Sequence, residues 1–234
     1  MERRALPGGA ELLVLPDAAL AASAAAQVIA EELDRSRQER GRFSLALSGG
    51  STPRPMFEAL ASAQLAWGDV ELFQVDERIA PLADDARNAK GLQAALLDRV
   101  AIPPAQCHLI PVESADPVSE YAGALRRTLG EPAVLDLVHL GLGEDGHTAS
   151  LVPGDPALEI SDADVARVGE YKGHPRVSLT FPTLNRARRV LWLVCGESKR
   201  EVLARLLEGN LDAPAGRITR SNALFVADRC AVSS

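Results

Sequence analysis

Phe43-Ser-Leu-Ala-Leu-Ser-Gly-Gly-Ser-Thr-Pro53 reads as a strand, a glycine turn and the start of a helix. Phe43 to Leu47 is a short β-type run, Gly49-Gly50 break it, and Pro53 suits a first helical turn that continues through Met56-Phe-Glu-Ala-Leu60. Strand and helix alternate in this way along the whole chain. Glu11 to Leu15, Val70 to Val75, His108 to Ile110, Leu135 to Leu140, Val177 to Phe181, Val190 to Val194 and Ala223 to Val226 read as further strands. Helices are expected from about Ala18, with Asp17 as N-cap, and over Gly91–Val100, Val118–Leu129 and Glu197–Leu207. The alternation predicts an α/β fold, Rossmann-like, with a mostly parallel sheet and helices on both faces. Neither a repeat nor a composition shift divides the chain, so residues 1–234 are read as one domain.

In such sheets ligands bind beyond the carboxyl ends of the strands. Three polar segments lie at strand ends: Ser48-Gly-Gly-Ser-Thr52, Asp76-Glu-Arg78 and Gly141-Leu-Gly-Glu-Asp-Gly-His-Thr-Ala-Ser150. The first exposes backbone N–H groups and hydroxyls at a helix start, a ready anion site. It lacks the Gly-Lys-Ser/Thr ending of a P-loop and the GxGxxG pattern, so a phosphorylated metabolite fits better than a nucleotide. In the third, the glycines let the backbone approach a ligand closely and project Glu144, Asp145 and His147 together. An imidazole changes charge near neutral pH and can move protons. Taken alone, Asp76-Glu-Arg78 reads as a surface salt-bridge cluster, although Arg78 could fork onto phosphate oxygens. His108 and His139, in or beside apolar runs, and His174, in a polar loop, are read as core or surface residues.

A net charge of -7 argues against a general nucleic-acid binder. Aromatic residues make up only 4% of the chain, so the core must be built from Leu, Val and Ala. Cys107, Cys195 and Cys230 form neither a zinc pattern nor a disulfide framework, which points to a reducing cytoplasm and to no metal. Cys195, closing Leu191-Trp-Leu-Val-Cys195, is expected to pack in the core. Glu11, Pro16 and Asp17 interrupt the only signal-peptide-like region, and no stretch is apolar enough to span a membrane.

Together, Ser48-Gly-Gly-Ser-Thr-Pro53, Val75-Asp-Glu-Arg78 with Asn88, Gly141 to Gly154 and Arg176-Val-Ser-Leu-Thr180 resemble the 6-phosphogluconolactonase family, which belongs with the glucosamine-6-phosphate deaminases in a broader group. The resemblance covers nearly the whole chain. It implies hydrolysis of 6-phospho-D-glucono-1,5-lactone in the oxidative pentose phosphate pathway, without metal or organic cofactor. By the same resemblance His147 is the catalytic histidine and Asp145 its motif neighbour. Ser48, Gly49, Gly50, Ser51 and Thr52 form the sugar-phosphate loop, and Asp76, Arg78, Asn88, Arg176 and Lys199 complete the binding site. The family's Ser-Asn pair is Arg87-Asn88 here, so only Asn88 carries over. Deaminases carry an acid a few residues after the histidine; Ala149-Ser-Leu-Val-Pro-Gly154 has none, which favours the lactonase.

The mechanism expected is general-base attack of water, with Asp145 or Glu144 orienting the imidazole and glycine-loop N–H groups or a basic side chain stabilising the oxyanion. The expected partner is a small sugar-phosphate lactone, with neither nucleic acid nor membrane, bound by a monomer. A non-catalytic sugar-phosphate sensor would need no histidine beside acids and would ordinarily carry a partner or DNA-binding module; no extra helix-turn-helix segment is apparent, and almost all the chain is used by the catalytic-type domain.

Overall fold

Residues 2–232 are described by a computed structural model. Strand β1 (Glu2–Ala5) folds back antiparallel on β2 (Glu11–Leu15), and α1 (Ala18–Arg40) follows. The Asp17 carboxylate caps α1 by accepting the Leu20 N–H at 2.8 Å, and Gly41 ends it in the left-handed region. Next come β3 (Phe43–Leu47), α2 (Arg54–Ser62), β4 (Val70–Gln74), β5 (Asp76–Arg78), α3 (Asn88–Ala95) and β6 (Cys107–His108). The chain continues through α4 (Pro117–Leu129), β7 (Leu137–Leu140), β8 (Val165–Tyr171), β9 (His174–Leu179) and α5 (Phe181–Arg186). It closes with β10 (Arg189–Val194), α6 (Arg200–Glu208) and β11 (Ala223–Asp228).

The larger sheet has the order β1-β2-β11-β10-β7-β3-β4-β6 and is parallel except for β1. Side chains alternate across it, as the pleat requires. Leu45, Leu47, Leu137, Leu191, Leu193, Leu224 and Val226 pack with Ala25, Ile29, Met56, Phe57 and Leu92 of α1, α2 and α3 on one face. Ala46, Val138, Leu140, Trp192 and Phe225 pack on the other with Tyr121 of α4, Leu184 of α5 and Leu203 of α6. Helices therefore cover both faces, as the alternation predicted. No helix among the described residues is long and apolar enough to cross a membrane.

Strands β3, β4 and β6 run outward to one side, whereas β7, β10 and β11 run to the other. The order reverses between β3 and β7, and their carboxyl ends meet where Leu47 pairs with His139. Loops that leave adjacent strands toward opposite edges open a crevice between them.

A second sheet, β5-β9-β8, is antiparallel and was not foreseen. After β4 the chain leaves the larger sheet: Val75 donates to Leu47 O at 3.0 Å and accepts from Leu179 N at 2.8 Å. Asp76-Glu-Arg78 is thus a strand of its own, not a strand end, and His174 opens β9 instead of lying in a loop. Phe181 belongs to α5, because Pro182 in its first turn favours helix over extended chain. The Glu197–Leu207 helix begins with a 3-10 turn over Glu197–Lys199, and Gly91–Val100 is replaced by a helix from Asn88 and a 3-10 turn at Leu97–Arg99.

Candidate active site

The crevice at the β3/β7 switch point has a volume of about 240 Å³. The loop after β3 supplies one wall. Gly50 takes φ 112°, and Ser48 is anchored by donating its hydroxyl to His139 O at 2.9 Å. Ser48, Gly49, Gly50, Ser51 and Thr52 all line the crevice. Gly49 is required by close approach: a Cβ there would overlap the Asn88 carboxamide.

The loop after β7 supplies the opposite wall. Gly143 N–H donates to His147 O at 2.8 Å, Gly146 N–H donates to Gly143 O at 3.0 Å, and Thr148 Oγ1 donates to Gly141 O at 2.9 Å. These bonds wind Gly141–Thr148 into a tight turn that brings Asp145 and His147 together. Their contact is 2.5 Å between His147 Nδ1 and Asp145 Oδ1. A Cβ at Gly143 would occupy the space of both side chains. Burial raises the affinity of Asp145 for a proton, but the hydrogen bonds from His147 outweigh it and hold the carboxyl below its ordinary range. As a carboxylate, Asp145 takes the proton side of Nδ1 and leaves Nε2 with the lone pair. Glu144, the alternative orienter, faces away toward Lys199, whose Nζ lies 3.7 Å from its carboxylate. Hydrogen bonding from Ser198 and the charge of Lys199 lower the pKa of Glu144.

The small sheet supplies the third side. Asp76 pairs with Ser178 and Arg78 with Arg176 across β5 and β9, which sets two guanidinium groups opposite one another. Like charges in that position destabilise a sheet. Burial first, and then the charge of Arg78, push the Arg176 pKa down. Asp76 is buried and accepts a hydrogen bond from Ser150 Oγ. Desolvation raises its pKa against the pull of Ser150 and the two arginines. Two polar atoms are buried here without a protein partner, Arg78 Nε and Asn88 Oδ1. Cradles of this kind, with unsatisfied polar groups and two guanidinium groups that share one buried carboxylate, fit an anionic ligand.

The sequence-predicted residues therefore converge. Ser48 to Thr52, Asp76, Arg78, Asn88, His147, Arg176 and Lys199 line one crevice, and Asp145 stands immediately behind His147. Asp76-Glu-Arg78 is not a surface cluster. Glu77 is wholly buried and accepts the N–H groups of Arg78 (2.8 Å), Asn88 (2.7 Å) and Ala89 (2.7 Å), with Arg87 Nε at 3.3 Å. It starts α3 and so aims Asn88. Arg87, the departure from the family pattern, bridges Glu77 and Glu113 and lies outside the crevice lining. Cys195 is half-buried at the crevice floor, where desolvation pushes its thiol up to about 12, too high for a nucleophile at neutral pH. Two residues escaped the sequence reading, Tyr171 and Lys172 at the β8–β9 hairpin. The Lys172-Gly173 pair was a turn signal, but nothing local tied it to the histidine loop.

Fold and site define a class: an open α/β protein with a polar, arginine-bearing crevice at its switch point and a histidine–aspartate pair on the rim. The model of the family described as Glucosamine-6-phosphate isomerases/6-phosphogluconolactonase matches residues 16–226, and the chain belongs to that family. A 6-phosphogluconolactonase from Synechocystis is 41% identical over 181 residues, 74% of this chain and 75% of the relative. One from Nostoc is 37% identical over 206 residues, 85% of each. The crystal structure of 6-phosphogluconolactonase from Thermotoga maritima superposes with a TM-score of 0.84 at 26% identity, covering 93% of this chain and 99% of that one.

Proposed function

We infer that this chain hydrolyses 6-phospho-D-glucono-1,5-lactone to 6-phosphogluconate in the oxidative pentose phosphate pathway, with His147 as general base. The observation that carries the reading is the pairing of His147 Nδ1 with Asp145 on the rim of a crevice whose far wall holds Arg78 opposite Arg176. One end can take a proton, and the other can take a phosphate.

The phosphate is held between the Ser48–Thr52 loop and the side chains of Arg78, Arg176 and Lys199, with Asn88 and Asp76 fixing the surrounding donors. Binding energy at that end orients the lactone carbonyl near His147. Nε2 of the neutral imidazole takes a proton from water as the water oxygen bonds to C1. Asp145 stabilises the imidazolium that forms. Charge on the former carbonyl oxygen is met by a crevice cation or by glycine-loop N–H groups other than those of Gly143 and Gly146, which bond within the turn. The intermediate expels the ring oxygen, which takes the proton back from Nε2, and the new carboxylic acid loses its own proton to solvent. No group other than water and these side chains is required.

Ala149 lines the crevice after His147, and no carboxylate stands between it and Asp155. That favours the lactone over an amino sugar, which needs an acid for ring opening. The chain is proposed to act as a monomer. The three cysteines are free, which fits the cytoplasm.

The test is turnover of freshly generated lactone, with spontaneous hydrolysis subtracted, by wild type and His147→Ala, beside glucosamine 6-phosphate. Fast lactone turnover, lost by about 10²-fold or more in the variant, supports substrate and base together. Wild-type activity retained in His147→Ala removes the general base, and ammonia release from the amino sugar moves the chain to deaminase chemistry.

A further inference from the structure

The tip of the β8–β9 hairpin reaches back to the histidine loop. Tyr171 ends β8, and Lys172 (φ 52°) with Gly173 (φ 82°) reverse the chain. The Tyr171 hydroxyl donates to Asp145 Oδ2 at 2.9 Å and lies 3.4 Å from His147 Nδ1. Its ring meets the imidazole edge-on, with centroids 5.2 Å apart at 66°. The other side of Tyr171 is fixed by Arg176, whose Nε and Nη2 donate to Tyr171 O at 3.3 and 3.1 Å and whose guanidinium lies 5.2 Å from the ring centre. Lys172 Nζ is at the same distance from that ring.

Asp145 therefore divides its two oxygens, Oδ1 to His147 and Oδ2 to Tyr171. A carboxylate held at one oxygen can pivot and carry the imidazole with it; held at both, it cannot. We propose that Tyr171 is a positioning residue that locks the Asp145 carboxylate and through it sets the ring angle and proton affinity of His147. This rests on the reading of His147 as the general base. Burial and the neighbouring Asp145 charge raise the pKa of the Tyr171 hydroxyl, so it remains a donor across the neutral range. The charged groups facing it are Asp145, Glu144 and His147 from the glycine loop and Lys172 and Arg176 from the hairpin. A hydrogen bond donated to Asp145 drains part of its charge. Removing that bond strengthens the pull of Asp145 on the imidazolium, and His147 holds its proton to higher pH.

Tyr171→Phe keeps the ring, its edge contact and the carbonyl that Arg176 grips. In lactone hydrolysis its kcat is expected to fall about tenfold with little change in KM, the loss of one hydrogen bond to a charged group. The acid limb of its kcat/KM profile moves to higher pH, which a purely structural role would not produce. Adding Tyr171→Phe to Asp145→Asn costs little more, because both act through one carboxylate. The His147 titration, followed by proton NMR without substrate and assigned with His147→Gln, shifts upward in Tyr171→Phe. An unmoved titration, or full additivity in the double variant, overturns the inference. Absence of lactone turnover in the wild type instead overturns the reaction assigned above, while the NMR titration still decides the role of Tyr171.

Discussion

The two sheets contribute to the crevice in different currencies. The larger parallel sheet offers loops at its switch point: Ser48–Thr52 lines one wall with main chain and hydroxyls, and Gly141–Thr148 is a glycine turn that carries the histidine. The small antiparallel sheet offers side chains, with Asp76, Arg78, Arg176 and Tyr171 all on β5, β9 and β8. Parallel strands end together on one side, so their loops gather there by topology alone. Antiparallel partners place chosen side chains opposite each other, which suits a charged wall. The first region thus carries the histidine–aspartate pair, and the second carries two of the crevice's cations, Arg78 and Arg176.

The largest effect is expected at Gly143, where the glycine loop leaves no room for a methyl group. Its Cβ would displace His147 and Asp145 from one another. Gly143→Ala should lower kcat by about 10²–10³-fold, the range of a lost general base, with circular dichroism unchanged. A variant that keeps its kcat would show that the pair need not be held in this geometry.

Glu77 comes next, since it joins the small sheet to α3. Its carboxylate is wholly buried, is paired with Arg87 and receives three backbone N–H groups. Breaking a buried pair from one side costs about 3 kcal/mol. Glu77→Gln should therefore lower the melting temperature by about 10 °C at this chain length. It should also raise KM, because Asn88 loses its aim. Unchanged stability would mean that the Arg87–Glu77–Glu113 chain is not what anchors the crevice wall.

Arg78 separates binding from folding. Arg78→Met removes one of two opposed guanidinium groups, so thermal stability should change by less than about 1 kcal/mol. KM should rise at least about tenfold as a phosphate contact is lost. A fall in kcat at constant KM would break the division of labour between the sheets.

The same division explains what the sequence disclosed. Strands of the larger sheet are short apolar runs bounded by glycine, and α1 has a cap at Asp17 and a stop at Gly41, so local pattern sufficed. The crevice-lining residues of the loops after β3 and β7 were legible because topology sends those loops to one place, whereas Asn88, Arg176 and Lys199 came only from the family resemblance. The small sheet was not legible. Asp76-Glu-Arg78 looks like surface in sequence, and only pairing with a strand about a hundred residues later buries it. Tyr171 was hidden for the same reason: its partners Asp145 and His147 are reached by a hairpin, not by a motif.

The smallest effect concerns the other histidine of the β7 region. His139 and His147 lie at either end of the same strand-to-loop passage, yet their surroundings are opposite. His139 also touches the crevice, but it is buried on the α1–α2–α3 face beside Phe57, its two ring nitrogens have no protein partner, and desolvation pushes its pKa down from 6.5 to about 3. Between those values the unfolded chain takes up a proton that the folded chain refuses, so stability rises with pH. Above 6.5 neither state is protonated and the cost vanishes; it grows as pH falls toward 3. The slope from one such group is at most about 1.4 kcal/mol per pH unit. His139→Leu removes the term, so denaturant midpoints of variant and wild type should differ by a nearly constant amount at pH 7–8 and diverge in favour of the variant as pH falls from 6 to 5. Parallel curves over that range would show that His139 takes up its proton in the folded state, and the contrast between a silent core histidine and a working rim histidine would then fail.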